Sequence, residues 1–255
     1  METILLQEKT DTPICLVFSP HPDDDVIGMG GTMAKIAKQR PVWTVYATHG
    51  AGSLRQESPE AIIHSREAEA VDALKHIGGS GAFFMRSASN ELQNKEEFAN
   101  NLRQILLTYP IDSIYMTSPF ERHATHLHTS EWALKVISEI LQEIKKDWKI
   151  FGYSVWGSII SSQDHLIIED ITDTISIKEQ AILCHRGEVS YKPYHKGVLA
   201  RNYYEAIYED AHSVAQASYI EIFLKMNEFL SNDNLTLATF GKNQIELFFK
   251  QQSMK

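Results

Sequence analysis

Three consecutive aspartates, residues 23 to 25, follow directly behind an apolar run in the stretch FSPHPDDDVIGMGG, residues 18–31. The preceding segment ICLVFS is typical of a buried strand. Crowding three carboxylates at the end of a core strand is costly unless their charge is compensated. Any fold of this chain must therefore place the aspartates within reach of a cation or of several hydrogen-bond donors.

The composition predicts one globular domain. The chain has 255 residues, 43% of them hydrophobic, which is enough for one large core. No linker rich in Gly, Ser or Pro divides it, so we expect a single domain over 1–255, with the motifs at about 14–188 and mixed structure beyond. No apolar stretch reaches the length of a transmembrane helix, and METILLQEKTDTP lacks the features of a secretory signal. We expect a cytoplasmic protein without stable membrane insertion.

The charge balance argues for a small-molecule substrate. With 33 acidic and 24 basic residues the net charge is −9, and no lysine- or arginine-rich patch would bind nucleic acid. The two cysteines, Cys15 and Cys184, are too few for a disulfide framework or a zinc-thiolate cluster and are expected in the core. The sequence leaves the oligomeric state open, a homo-oligomer included.

Short apolar runs alternate with longer helix-like stretches. This alternation predicts an α/β fold with a mostly parallel, twisted sheet and helices on both faces, because parallel neighbours need crossover connections. The predicted strands are ICLVFS, VWTVYAT, AFFM, SIYMTSP, FGYSVWG and HLIIEDI, and the predicted helices are MAKIAKQ and the segments near 60–77, 96–109 and 129–146.

Two polar loops are expected at the same edge of this sheet. One follows ICLVFS and carries His21 and the three aspartates, and the other, residues 119–128, follows SIYMTS and carries His123, His126 and His128. Ligands of open parallel sheets bind at the carboxyl ends of the strands, so the two loops should converge.

Two histidines and a carboxylate form a common zinc site in hydrolases, with a fourth position open for water. A divalent cation would also compensate the aspartates. The residues permit a simpler interpretation. Asp after Pro is ordinary turn chemistry, the glycine pair could serve close packing, and loop histidines are often merely solvated.

Five segments in order resemble the metal-dependent de-N-acetylases, the family of N-acetylglucosaminyl-phosphatidylinositol de-N-acetylase (PIG-L) and the bacterial LmbE-like proteins. The matching segments are PHPDD at 20–24, THGAG at 48–52, SREAEAVDALKHIG at 65–78, ERHATH at 121–126 and KEQAILCHRGE at 178–188. The resemblance implies a Rossmann-like fold and a zinc-dependent hydrolase that removes an N-acetyl group from an amino sugar or a small GlcNAc-containing conjugate.

The resemblance also implies roles for individual residues. His21, Asp24 and His126 would bind one Zn²⁺ per chain, with another divalent metal left open. Asp23 would be the general base, and His123 would stabilise the oxyanion and help to protonate the leaving amine. Arg66 would contact sugar hydroxyls, and His185 is a further candidate for substrate binding.

The chain departs from the family pattern at the second histidine motif. H-P-D-H is replaced by H-A-T-H, so Thr125 stands where an aspartate would orient His123. Without that carboxylate, His123 should be less basic and less firmly held. His128 could replace it or act as a ligand, although a polar residue of the following helix is the simpler interpretation.

Two other functions remain open from sequence. A metal-dependent phosphoesterase also uses His and Asp clusters at strand ends, usually with two metals and more carboxylates. The H-A-T-H change also allows a zinc-containing sugar-binding protein with weakened catalysis. Tyr153 and Trp156 could form a sugar-binding wall or belong to the core.

Overall fold

The computed structural model describes residues 2–5, 11–52, 56–87, 95–159, 161, 163–209 and 216–227. Within these ranges eight strands form one sheet, in the order β1-β4-β3-β2-β5-β6-β8-β7. The strands are β1 (Glu2–Leu5), β2 (Ile14–Ser19), β3 (Val42–Thr48), β4 (Gly81–Ser87), β5 (Ile111–Thr117), β6 (Lys149–Tyr153), β7 (Leu166–Asp170) and β8 (Ile220–Lys225).

The centre of the sheet is parallel and its margins are antiparallel. Strands β4, β3, β2, β5 and β6 pair in parallel, whereas β1 pairs antiparallel with β4, and β8 antiparallel with both β6 and β7. The predicted α/β fold with a mostly parallel sheet is confirmed. Strand β2 is buried along its whole length, as expected of a parallel strand covered on both faces.

Four helices make the crossovers between the parallel strands: α1 (Asp24–Ala37), α2 (Pro59–Ile77), α3 (Lys95–Thr108) and α4 (Ala124–Glu143). Three more, α5 (Ile175–Leu183), α6 (Arg186–Tyr191) and α7 (Tyr194–Glu209), lie between β7 and β8. No helix in the described ranges is long and apolar enough to span a bilayer.

Each face of the sheet has its own apolar layer. In β2, Ile14, Leu16 and Phe18 pack on the layer that α3 and α4 cover, while Cys15 and Val17 pack on the layer of α1, α2, α5 and α7. This alternation follows from the two-residue period of a strand. Cysteines 15 and 184 are both buried in the second layer without a disulfide, as predicted.

Two helices begin earlier than the sequence predicts. Helix α1 starts at Asp24 rather than at Met33, and α4 starts at Ala124 rather than at Thr129. The prediction was wrong because glycines in one segment and closely spaced histidines in the other are poor helix formers, and tertiary packing overrides that weak preference. As a result Asp24 and His126 lie in first helical turns and not in loops.

Glycines in α1 allow close packing. A Cβ atom on Gly28 would lie 2.2 Å from the Tyr153 ring, and one on Gly31 would lie 2.7 Å from Ile171. The helix is kinked at Met29, where φ is −145° and ψ is 22°. The glycine-rich segment therefore serves packing, which the sequence offered as the simpler interpretation.

A buried ion pair supports the helix beyond this kink. The amides of Gly31 and Thr32 donate to the Glu221 carboxylate at 3.0 and 2.8 Å. Lys178 Nζ donates to Glu221 at 2.6 Å and to Asn202 at 2.9 Å. The side chains of Lys178 and Glu221 are both fully buried, so each depends on the other for charge compensation.

We expect Lys178→Met to lower the free energy of unfolding by about 3–5 kcal/mol, because it leaves Glu221 buried without its counter-charge. Urea denaturation measures the change. The control is Lys75→Met, which removes the exposed Lys75–Asp72 pair (3.4 Å) and should cost no more than about 1 kcal/mol. Equal small losses in the two variants would show that the buried pair is no stronger than a surface pair.

Candidate metal centre

The two predicted polar segments meet at the carboxyl ends of β2 and β5, which are neighbouring strands. His21 lies in the turn after β2, Asp24 is the first residue of α1, and His126 lies in the first turn of α4. The nearest ring nitrogens of His21, His123 and His126 all lie within 4.8 Å of one another. Sheet topology thus brings together side chains that are about 100 positions apart in sequence, as His21 and His126 are.

Three candidate ligand atoms have the spacing of three corners of a tetrahedron around a metal ion. Asp24 Oδ2 lies 2.9 Å from His21 Nδ1 and 3.1 Å from His126 Nε2, and the two nitrogens are 3.2 Å apart. Around a tetrahedral ion with bonds of about 2.0–2.1 Å, ligand atoms lie about 3.3–3.4 Å apart. The donor set and its spacing therefore fit Zn²⁺ or a similar divalent ion.

The electrostatics of the trio call for positive charge. Burial alone would raise the pKa of Asp24, but His126 and His21 outweigh it and hold that pKa far below its usual range. Burial lowers the pKa of His126, whereas Asp24 and Glu121 raise it, with a net result of about 10. A proton on His126, or a divalent cation in its place, supplies the charge that the carboxylates require.

Glu121 orients His126 from behind. Its Oε2 lies 3.1 Å from His126 Nδ1, and the carboxylate also accepts from the amides of Val155 and Trp156 and from the Ser154 hydroxyl. A carboxylate on the second ring nitrogen is the usual partner of a metal-binding histidine. In the sequence, Glu121 is part of the ERHATH motif but has no predicted role. Its position five residues before the candidate ligand His126 was the signal that could have identified it.

Asp23, the predicted general base, forms an ion pair with Arg66. Asp23 Oδ1 lies 3.0 Å from Arg66 Nη2, and Arg66 Nη1 reaches Glu188 at 3.4 Å and the Gly50 carbonyl at 3.3 Å. Burial lowers the pKa of Arg66, but Asp23 and Glu188 raise it more. Gly50 has φ +66°, and a Cβ there would lie 2.8 Å from the guanidinium. Arg66 thus lies against the expected base.

The third aspartate has separate partners. Asp25 Oδ2 accepts from the Tyr46 hydroxyl at 2.8 Å and from Thr44 at 3.3 Å, both on β3. Burial raises the pKa of Asp25 to about 7, although the hydrogen bond from Tyr46 opposes this. The three neighbouring carboxylates therefore have different partners: Asp23 contacts an arginine, Asp24 a pair of histidines and Asp25 a tyrosine.

His123 caps α4 beside the trio without a carboxylate of its own. Burial and the charges of His126 and His21 lower its pKa. In the described part of the chain no carboxylate hydrogen-bonds to His123, and the buried Thr125 occupies the position of the expected aspartate. The weaker orientation of His123 expected from sequence stays a prediction. His128 is exposed on α4 and lies outside the histidine group.

Two more buried polar groups lie near Asp23 and Arg66, whose charges act on both. Among the described residues His185 Nε2 and the Tyr194 hydroxyl have no hydrogen-bond partner. Burial lowers the pKa of His185 to about 4, so its ring is neutral. Tyr194 was missed because the segment around it resembles a loop or a surface turn, whereas it begins α7.

The aromatic candidates Tyr153 and Trp156 divide between core and surface. Tyr153 is fully buried, and its hydroxyl donates to the Phe18 carbonyl at 3.0 Å. Trp156 is 49% exposed, with its ring 6.1 Å from that of Tyr194 in an edge-on arrangement. Of the two, Trp156 is therefore the one that is open to solvent.

A family model matches the segment of the chain that carries both histidine motifs. Residues 16–137 match the model of the family described as GlcNAc-PI de-N-acetylase, PIG-L. Over this segment the chain is similar to the PIG-L family.

Solved structures share the fold of this chain. N,N'-diacetylchitobiose deacetylase from Pyrococcus horikoshii has a TM-score of 0.67, with 21% identity and 86% of each chain covered. A conserved protein from Thermus thermophilus has a TM-score of 0.65 and 23% identity, covering 83% of this chain and 93% of its own. At 17% identity and a TM-score of 0.66, 4-carboxy-2-hydroxymuconate hydratase from Pseudomonas putida covers 84% of this chain and 95% of its own. The fold therefore accommodates more than one reaction.

One curated relative matches over a short segment. A glucosamine-6-phosphate deaminase-like protein from Bacteroides thetaiotaomicron is 42% identical over 50 residues, 19% of this chain and 8% of that relative. The match spans less than a tenth of the relative, and so carries no assignment of the whole protein's activity.

We expect Glu121→Gln to weaken Zn²⁺ binding about 10- to 100-fold, because the amide supports His126 less well than a carboxylate. Isothermal titration of metal-free protein measures the affinity. Glu139→Gln, on the exposed surface of α4, is the control and should leave it unchanged. Wild-type affinity in Glu121→Gln would contradict the orienting role.

Proposed function

We propose that this protein is a member of the PIG-L family and a zinc-dependent N-deacetylase acting on an amino sugar or a small GlcNAc-containing conjugate. The observation that carries the proposal is the ligand trio with Asp23 beside it, held by a buried arginine. The matching family model is described as GlcNAc-PI de-N-acetylase, and one structural neighbour is named N,N'-diacetylchitobiose deacetylase. We also propose a cytoplasmic location.

The residues around the trio divide the work of amide hydrolysis. His21, Asp24 and His126 would hold Zn²⁺, which would supply Lewis acidity and lower the pKa of bound water. Asp23 accepts the proton of the water that adds to the acetyl carbon, while Arg66 keeps this carboxylate in position. His123 donates a hydrogen bond to the oxyanion and helps to deliver the proton taken up by Asp23 to the nitrogen as the C–N bond breaks. The products are acetate and the free amine.

Buried donors near Asp23 support binding of a polyhydroxylated substrate. His185 is neutral and the Tyr194 hydroxyl is without a partner in the described ranges, so each can bond a sugar hydroxyl without losing another bond. The exposed ring of Trp156 offers a flat apolar surface to a pyranose. Arg66 is already paired to two carboxylates, so we assign it mainly to positioning Asp23 and secondarily to substrate hydroxyls.

We expect Asp23→Asn to lower kcat about 10²- to 10⁴-fold with unchanged zinc content, because the amide cannot accept the proton. Acetate release from diacetylchitobiose measures the rate, and elemental analysis measures the zinc. Glu188→Gln is the control, since it also removes a carboxylate from Arg66 but touches no reacting atom, and should cost less than about tenfold. Cleavage of phosphate esters instead of the amide would favour the phosphoesterase and overturn the proposal.

A sugar-binding protein with weakened catalysis is the second candidate, favoured by the missing carboxylate partner of His123. We expect Thr125→Asp to leave kcat unchanged or to raise it, because a carboxylate would orient and charge the imidazole. Thr125→Asn, which fills the same space without charge, should not raise it. A large loss in a folded Thr125→Asp variant would show that His123 is misassigned. Wild-type protein that binds N-acetyl sugars without releasing acetate would support the second candidate.

A further inference from the structure

A cavity separate from the candidate metal centre lies between α7, the start of β8 and the segment 154–159; it is called the second cavity below. Its volume is about 240 Å³, and its floor includes Gly28 of α1. Pockets for drug-sized ligands span about 300–1,000 Å³, so this volume suits a smaller molecule, such as one sugar ring. None of the candidate metal ligands or catalytic residues lines it.

One peptide bond separates the cavity from the metal centre. The amide of Val155 donates to Glu121, and the carbonyl of Ser154 in the same peptide unit accepts from Arg201 Nη2 at 3.1 Å. The N–H and C=O of a trans peptide point in opposite directions, so Glu121 and Arg201 lie on opposite sides of it. The cavity is therefore distinct from the proposed catalytic site.

Helix α7 lines the cavity with two rows of side chains at helical spacing. Arg201, Glu205 and Glu209 form one row, and Tyr204 and Tyr208 form the other. The Arg201 guanidinium is engaged by the Ser154 and Val155 carbonyls, and its Nε lies 3.8 Å from Glu205. The charge of Arg201 is thus paired with Glu205, while its Nε makes no hydrogen bond within the described residues.

Among the described residues around the cavity, one carboxylate has no counter-charge. Glu221 is compensated by Lys178, and Glu205 shares Arg201. Glu209 is only 9% exposed, and in the described part of the chain it makes no hydrogen bond or ion pair. Within the described residues, Glu209 is the acidic side chain of the cavity wall that has no counter-charge, so the cavity favours a ligand that brings a positive charge.

The remaining lining fits a ring that carries hydroxyl groups. Tyr204 and Tyr208 are 66% and 68% exposed at the rim, where their faces can contact an ammonium group or the apolar face of a sugar. Ser158 adds a hydroxyl-bearing side chain to the wall, whereas the Ser154 hydroxyl donates to Glu121. We propose that this cavity binds an amino sugar with a free ammonium group, which pairs with Glu209 while the ring lies against Tyr204 and Tyr208. This assignment does not rest on the proposed function.

Binding of glucosamine to the full chain, measured by isothermal titration, tests the proposal. We expect Glu209→Gln to weaken binding at least about tenfold, because it removes a charged hydrogen-bond partner. Tyr208→Ala, at an exposed position that cannot disturb the core, should also weaken it. Glucose and N-acetylglucosamine, which lack the ammonium group, should bind at least about tenfold more weakly at this cavity.

Two further variants keep the result unambiguous. His21→Ala removes a candidate ligand whose contacts are with Asp24 and His126 rather than with Glu121, and it should leave glucosamine affinity unchanged. Glu139→Gln serves as a matched surface control. Loss of binding in His21→Ala, or full binding in Glu209→Gln, would place glucosamine elsewhere and overturn the proposal, as would no binding to the wild type at millimolar concentration. None of these titrations measures acetate release. Absence of glucosamine binding would therefore not contradict the proposed deacetylase activity, and absence of deacetylase activity would not contradict glucosamine binding at the cavity.

Discussion

At the end of β2, three neighbouring carboxylates have to be compensated within one turn of chain, and the surrounding structure supplies a different answer to each. Asp24 faces a histidine pair, Asp23 faces a buried guanidinium, and Asp25 accepts hydrogen bonds from hydroxyl groups of β3. Successive residues at the start of a helix point about 100° apart, which lets the three side chains diverge. Divergence also separates the proposed base from the proposed ligand.

The sheet order delivers these partners. Because β2 lies between β3 and β5, hydroxyl groups from β3 and histidines from the segment after β5 reach the same turn from opposite sides. Arg66 comes from α2, the crossover helix between β3 and β4, and is buried against Gly50. The site is therefore assembled from local consequences of a parallel topology and needs no long insertion.

Sequence reasoning predicted what depends on local pattern. The apolar runs identified the strands, and the position of two polar segments at strand ends predicted their meeting. It missed the early starts of α1 and α4, since glycine and histidine give weak local signals. It also gave no role to Glu121 or Tyr194, because their partners come from other segments, and it missed the pair of Lys178 and Glu221, which lie 43 residues apart. The zinc ligands and catalytic roles remain proposals.

The peptide unit between Ser154 and Val155 contacts two side chains with different roles, Glu121 and Arg201. Its amide supports the carboxylate behind His126, and its carbonyl is fixed by Arg201 at the wall of the second cavity. A planar unit can only tilt as a whole, so a shift that accommodates one neighbour is transmitted to the other. Substitutions in the β6–β7 connection that alter the specificity of the cavity would therefore shift a peptide unit that also contacts the candidate metal centre. Such substitutions would need compensating changes near Glu121.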